Sequence, residues 1–248
     1  MRLGVNGGIR GCAITGDGDR NKRAYVGADV FDGAQLRAEM AILVDGGILS
    51  GIVESGEIPT EFERVGLSGG VILPGFVDCQ ANGGGGILFN DQTHVAGLRI
   101  IAQAHLATGT RAFLPTLITD TPDKTRAAVA AVETSLDEGV PGIAGLHLEG
   151  PHLSITRKGA HDPALIRRMD DEDEAFLVEA AERLPNLMVT VALENVTVGQ
   201  IERLSAAGVI VSLGHSDCSF DQAAAAIDAG ARCVTHLFNA MSPMGSRE

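Results

Sequence analysis

Residues 121–151 read TPDKTRAAVAAVETSLDEGVPGIAGLHLEGP. Thr121 followed by Pro122 is a helix start: the hydroxyl can accept from the first turn, and the proline stands where a backbone N–H has no partner anyway. Gly139 is the stop. The apolar run 143–148 then predicts a strand that closes on His147 and Glu149, ahead of Gly150-Pro151. A helix passed by a short loop into an apolar strand, with ionisable groups at the strand's far end, is the repeating unit of a parallel α/β sheet.

The same unit recurs on either side. Apolar strands are predicted at 75–79, 112–117, 187–192, 209–213 and 233–237. The acidic run Asp170 to Glu174 opens a helix that contains 175–184, its charge complementing the N-terminal end of the helix dipole. Ser219 and Gln222 form a capping box for an Ala-rich helix that Gly230 ends. Such repeats imply right-handed crossovers, in either a doubly wound sheet or a (β/α)8 barrel. Residues 83–86 are four glycines that open no helix as a GxGxxG turn would, so no dinucleotide site is expected and the barrel is favoured. Six of the eight strands of such a barrel are legible. The expected fold class is therefore α/β, an incomplete (β/α)8 TIM barrel over 73–248. Ahead of it, apolar segments 41–44 and 48–53 flank Asp45-Gly46-Gly47, a hairpin signal. Residues 23–72 are expected to form a small, incomplete β-sandwich-like domain, and 1–22, without periodicity, a mobile tail.

Composition narrows the function. Of 248 residues, 45% are hydrophobic and 21% charged, which is globular; Lys and Arg total 19 against 32 Asp and Glu, a formal charge of −13. Nucleic acid and anionic membranes call for a basic face, so neither is an expected partner. No apolar run approaches the roughly 18 residues of a membrane span, and the Gly-rich start has no secretory apolar region. Cys12, Cys79, Cys218 and Cys233 follow no zinc or disulfide spacing, which suggests reduced thiols and a cytoplasmic enzyme.

Functional groups of a parallel sheet collect at the C-terminal ends of its strands. There stand Glu149, His215 and His236, each after an apolar strand. One carboxylate and two imidazoles are a ligand set for a catalytic divalent ion, leaving a position for water. His147 also faces inward but one layer deeper, and reads as a packed, hydrogen-bonded core residue or a further ligand. His94 and His105 fall on or beside a helix, as surface or core residues. The loop 151–163 carries two cations and two histidines. It is either a solvated loop or a lid on a polar substrate, with His161 reaching a reacting carbonyl.

Together Leu73-Pro74-Gly75-Phe76-Val77-Asp78, Gly145-Leu146-His147-Leu148-Glu149-Gly150-Pro151, Lys158-Gly159-Ala160-His161-Asp162-Pro163, Gly214-His215-Ser216 and Thr235-His236-Leu237-Phe238-Asn239-Ala240-Met241 resemble the N-acetylglucosamine-6-phosphate deacetylases of the amidohydrolase superfamily. The resemblance runs from Leu73 to the last residue. It implies hydrolysis of the N-acetyl amide of N-acetyl-D-glucosamine 6-phosphate to glucosamine 6-phosphate and acetate, in amino-sugar catabolism. It implies one divalent metal ion on Glu149, His215 and His236, with Zn²⁺ first and Fe²⁺, Co²⁺ or Mn²⁺ able to share such ligands. His161 would polarise the acetyl carbonyl. Ala160, Asn239 and Ala240 would contact substrate, and Arg247 would grip the phosphate, in known members from the neighbouring subunit of a homodimer. Gln80 and Asn82 occupy the place where many amidohydrolases hold a second metal, as a vestige of it.

In one respect the sequence departs from this pattern. The family's catalytic acid/base is an Asp at the end of an eighth strand, and nothing here matches it; Asp217 corresponds to an ordinary loop residue. The expectation is a fragment or an incomplete gene model, with open strand edges prone to aggregation. Two alternatives stand beside the deacetylase reading: an inactive fragment that binds metal and sugar phosphate, and another amidohydrolase, acting for example on a cyclic amide.

Overall fold

A computed structural model describes residues 22–243, in two compact units that divide between Phe76 and Val77. The expected tail, 1–22, and Arg247 thus lie, all but Lys22, outside the described residues.

The first unit is all β. Strands β1 (Arg23–Val26), β4 (Met40–Asp45), β5 (Ile48–Glu54) and β6 (Glu63–Gly66) form a sheet in the order β5-β4-β1-β6, while β2 (Asp29–Phe31), β3 (Leu36–Arg37) and β7 (Val71–Ile72) form another in the order β3-β2-β7. The predicted hairpin is β4–β5, with Asp45 paired to Ile48. Gly46 and Gly47 both have positive φ, 58° and 81°, as its two-residue turn demands. Ala24, Val30, Met40, Ala41 and Leu43 make the small core.

The second unit is a six-stranded parallel sheet with helices. Its strands are β8 (Phe76–Ala81), β11 (Thr110–Ile118), β12 (Leu146–Glu149), β13 (Leu187–Val191), β14 (Ile210–Leu213) and β15 (Cys233–Val234), and they lie side by side in chain order. Helices α1 (Val95–Ala107), α2 (Pro122–Asp137), α3 (Asp171–Arg183), α4 (Val198–Ala206) and α5 (Phe220–Asp228) alternate with them. A short hairpin, β9 (Gly83–Gly84) with β10 (Ile87–Leu88), precedes α1 and accounts for the four glycines. A Cβ on Gly83 would lie 2.2 Å from the Ile87 carbonyl oxygen, and one on Gly85 2.7 Å from Ile100.

The sheet is bent into an arc of a (β/α)8 barrel. β8 and β15 are its opposite edges, yet the Gln80 amide of β8 comes within 3.4 Å of Nε2 of His236, just past β15. Strand alternation sorts the two faces. Leu146, Leu148, Leu187, Val189, Val191, Val211 and Leu213 belong to the hydrophobic core, together with Leu98, Ile101, Val129, Val132, Leu177, Ile201 and Leu204 of the helices. The intervening residues form a polar chain. His147, fully buried, bonds Thr190 at 2.7 Å; Thr190 meets Thr235 at 2.8 Å and Thr235 meets Ser212 at 2.7 Å. His147 is thus a packed core residue in the layer beneath Glu149. Among the described residues no helix is long and apolar enough to cross a membrane, and Cys79, Cys218 and Cys233 are free thiols.

Helix caps fall where their residue types predict. Thr121 accepts from Lys124 at the start of α2, and capping boxes open α3 at Asp170, α4 at Thr197 and α5 at Ser219. At the head of α3, Arg167 pairs with Asp173, which is half-buried. Burial alone would raise the Asp173 pKa, but the guanidinium and the Asp170 N–H hold it below the ordinary carboxylate range. A depressed folded-state pKa contributes stability above the unfolded value, near 4, that is lost as pH falls through the lower folded value. Asp173→Asn is therefore expected to be less stable than wild type by about 1–2 kcal/mol at pH 7. The difference should shrink as the pH drops below about 4, as read by urea unfolding at a series of pH values.

Candidate metal centre

Three strand ends build the site. Glu149 is the last residue of β12 and is only 2% exposed. His215 lies two residues past β14 and His236 two residues past β15, with φ of 50° and 52°. The left-handed region is unfavourable for a side chain with a Cβ, so tight surroundings must impose it. At Gly214 they are visible: a Cβ there would lie 2.8 Å from Thr190 and 2.9 Å from Thr235. The sixth strand is shorter than predicted, and His236 sits in the turn that follows it.

These turns aim both imidazoles at one carboxylate. Nε2 of His236 is 2.9 Å and Nε2 of His215 3.2 Å from Oε1 of Glu149. The Gln80 amide donates to Oε2 at 3.0 Å, and Nε2 of His161 is 3.8 Å from the same oxygen. One donor atom from each of Glu149, His215 and His236 fits within a 4.8 Å span, the reach of a single cation. Nδ1 of His215 donates to the Arg157 carbonyl at 2.7 Å, which turns Nε2 toward Glu149.

The electrostatics match this geometry. Burial would raise the Glu149 pKa, but the hydrogen bond from His215 and the surrounding imidazoles bring it down to about 2, so the carboxylate is ionised at neutral pH. Burial also opposes protonation of His215, yet Glu149 and the Arg157 carbonyl outweigh it and raise its pKa. His161, shut away from water, is lowered to about 4 and is neutral. A buried anion facing neutral or switchable nitrogen donors is the donor chemistry a divalent transition metal prefers.

Beside these groups lies a cavity of about 610 Å³, lined by Gln80, Asn82, Ala160, His161, Asn239 and Ala240 as well as the three donors. The structure therefore brings together every predicted site residue except Arg247, which is outside the described residues. The other histidines stand apart from the cavity. His94 caps α1, His105 bonds the Gly83 carbonyl, and His152 is buried against the Arg167 carbonyl. The loop 151–163 is anchored rather than free: Leu153 is fully buried and His161 is 4% exposed. Asp217, which lines a different cavity, is taken up by Arg157 at 2.6 Å, Thr156 at 2.9 Å and Ser242 at 3.2 Å. Two groups were not foreseen. Thr119, just past β11, bonds His161 at 2.8 Å, and Glu194, in the loop after β13, bonds Ser216 and the Asp217 N–H. Thr119 stands at the end of the second strand but is no metal-ligand type, and Glu194 lies three residues past the fourth strand, beyond the strand end itself.

Residues 71–245 match the Amidohydrolase family. An N-acetylgalactosamine-6-phosphate deacetylase of Shewanella sp. (strain ANA-3) is 42% identical over 224 residues, 90% of this chain and 56% of the relative. An N-acetylglucosamine-6-phosphate deacetylase of Haemophilus influenzae is 36% identical over 225 residues, 91% of this chain and 58% of the relative. The crystal structure of N-acetylglucosamine-6-phosphate deacetylase from Pasteurella multocida superposes with a TM-score of 0.85 at 36% identity, covering 91% of this chain and 59% of that one. A mutant of the Mycobacterium smegmatis enzyme, in complex with N-acetyl-D-glucosamine-6-phosphate, gives 0.82 at 32%, covering 92% and 58%. The chain spans little more than half the length of these relatives.

Proposed function

The chain belongs to the amidohydrolase family, and from that premise we propose that its site acts on the N-acetyl amide of N-acetyl-D-glucosamine 6-phosphate, yielding D-glucosamine 6-phosphate and acetate. The observation that carries the reading is the convergence of Glu149, His215 and His236 on one point at the wall of a cavity that also holds His161. The donor set fits one divalent ion, Zn²⁺ foremost, with Fe²⁺, Co²⁺ and Mn²⁺ compatible. Bound there, such an ion supplies Lewis acidity toward a carbonyl oxygen and a more acidic water.

The chain's own residues do the rest. Glu149 holds two imidazoles in register and stays ionised. His161 is neutral and presents Nε2 to the cavity, where it donates to the acetyl oxygen as negative charge develops there. Asn239 and Ala240 contact the sugar phosphate, and Arg247 supplies a guanidinium for the phosphate across a homodimer interface. Water's oxygen bonds to the acetyl carbon, the C–N bond breaks, and a proton passes to the amine.

Among the described residues Glu149 is the one carboxylate lining the cavity, and it is already engaged by three donors. That observation favours a second reading, in which the chain binds the sugar phosphate and turns it over slowly or not at all. Acetate release with metal added, from the 6-phosphates of N-acetylglucosamine and N-acetylgalactosamine and from unphosphorylated N-acetylglucosamine, separates them. Preference for N-acetylglucosamine 6-phosphate supports the deacetylase, and preference for the galactosamine epimer moves the substrate to it. Ligand binding without acetate supports the second reading. Indifference to the phosphate refutes the substrate class.

A further inference from the structure

We infer that Thr119 is a positioning residue that holds His161 in the tautomer with its hydrogen on Nε2, the nitrogen that faces the cavity. The catalytic use of that hydrogen rests on the deacetylase reading above; the tautomer does not.

Hydrogen-bond direction decides the tautomer. Nδ1 of His161 lies 2.8 Å from the Thr119 hydroxyl and 3.3 Å from the Thr119 backbone nitrogen. A hydroxyl can give or accept, so taken alone it leaves the ring undetermined. A backbone N–H can only give. Its approach to Nδ1 requires a lone pair there, and a neutral ring must then carry its hydrogen on Nε2. The hydroxyl has a second candidate acceptor, the Glu149 carbonyl oxygen at 3.4 Å. With Nδ1 bare, its hydrogen goes to the nearer nitrogen, and both Thr119 donors act on the same atom.

Thr119 is itself fixed. It is 5% exposed and follows the last residue of β11, Ile118, which is in register with Glu149 of β12. Its hydroxyl has room because residue 150 is glycine, where a Cβ would stand 2.2 Å from the Thr119 oxygen. The strand pairing that sets the height of Glu149 therefore also sets the height of the group that orients His161. A ring in the other tautomer would turn a lone pair toward the acetyl oxygen and repel the charge that develops there.

The test is a two-bond ¹⁵N–¹H correlation spectrum of the ¹⁵N-histidine-labelled chain, with the His161 ring identified by its loss in His161→Gln. Wild type and Thr119→Ser should show a single neutral tautomer, Nδ1 bare and Nε2 protonated. Thr119→Val keeps the backbone N–H at 3.3 Å but loses the nearer donor at 2.8 Å, so a measurable share of the Nδ1–H form should appear, and Thr119→Ala serves as the hydroxyl-free variant should the valine chain not fold. In acetate release the hydroxyl-free variant should lose about tenfold in kcat with little change in KM, and serine should restore it. A wild-type ring protonated at Nδ1 overturns the inference, and a hydroxyl-free variant with an unchanged spectrum overturns the role given to the Thr119 side chain, leaving the tautomer to the backbone N–H alone. The expected spectra without any acetate from wild type would sink the hydrolytic reading and support the tautomer assignment.

Discussion

Glu149→Gln is expected to leave the purified chain without its divalent metal. The substitution keeps the size and one oxygen of the side chain but removes the negative charge on which His215 and His236 converge at 3.2 and 2.9 Å. An amide is a poor ligand for a transition metal, and two neutral imidazoles alone make a weak site. Outer groups that merely orient ligands cost 10–100-fold in affinity when lost, so a direct anionic ligand should cost at least about 100-fold. Elemental analysis after dialysis reads the result: about one ion per chain in wild type and close to none in Glu149→Gln. His215→Asn should behave alike. Asp217→Asn, whose carboxylate serves Arg157, Thr156 and Ser242, should keep its metal. Full occupancy in both Glu149→Gln and His215→Asn would refute the ligand assignment.

His161→Gln separates binding from chemistry. Nε2 of His161 is 3.8 Å from Glu149 and stands outside the group of three donors, so its replacement should leave metal content at the wild-type level. Loss of a donor aimed at a developing oxyanion lowers kcat by about 100- to 1000-fold. Because the charge appears only as the carbonyl is attacked, KM should move little. The measurement is acetate release against substrate concentration, with metal content determined on the same preparation. Joint loss of metal and turnover would make His161 a ligand instead.

Much of this was readable in the chain, and the reasons differ from part to part. The helix starts at Thr121, Asp170 and Ser219 and the stops at Gly139 and Gly230 are local chemistry, decided by side chains within four residues of one another. The strands were legible because a sheet covered by helices needs unbroken apolar runs. Glu149, His215 and His236 were legible because a strand end is both a position in sequence and a place in the fold. What escaped is long-range. Thr119 touches His161, 42 residues away, and threonine at a strand end carries no signal of its own. The partition of loop 151–163 into buried and exposed residues was likewise hidden, since only the assembled sheet decides that Leu153 packs while Ile155 faces solvent. His236 was placed at a strand end, but the strand stops at Val234 and a turn of positive φ completes the approach.

The side-by-side order of β8, β11, β12, β13, β14 and β15 has a consequence for biosynthesis. Each strand leaving the ribosome finds its neighbour already made, so the sheet can grow in the direction of translation without waiting for distant segments. The ion-binding cluster obeys a different clock. His215 comes 66 residues after Glu149 and His236 87 residues after it. A nascent chain therefore has all six of these strands behind it before the third donor is in place, and an ion held by the three would join strands laid down far apart in time.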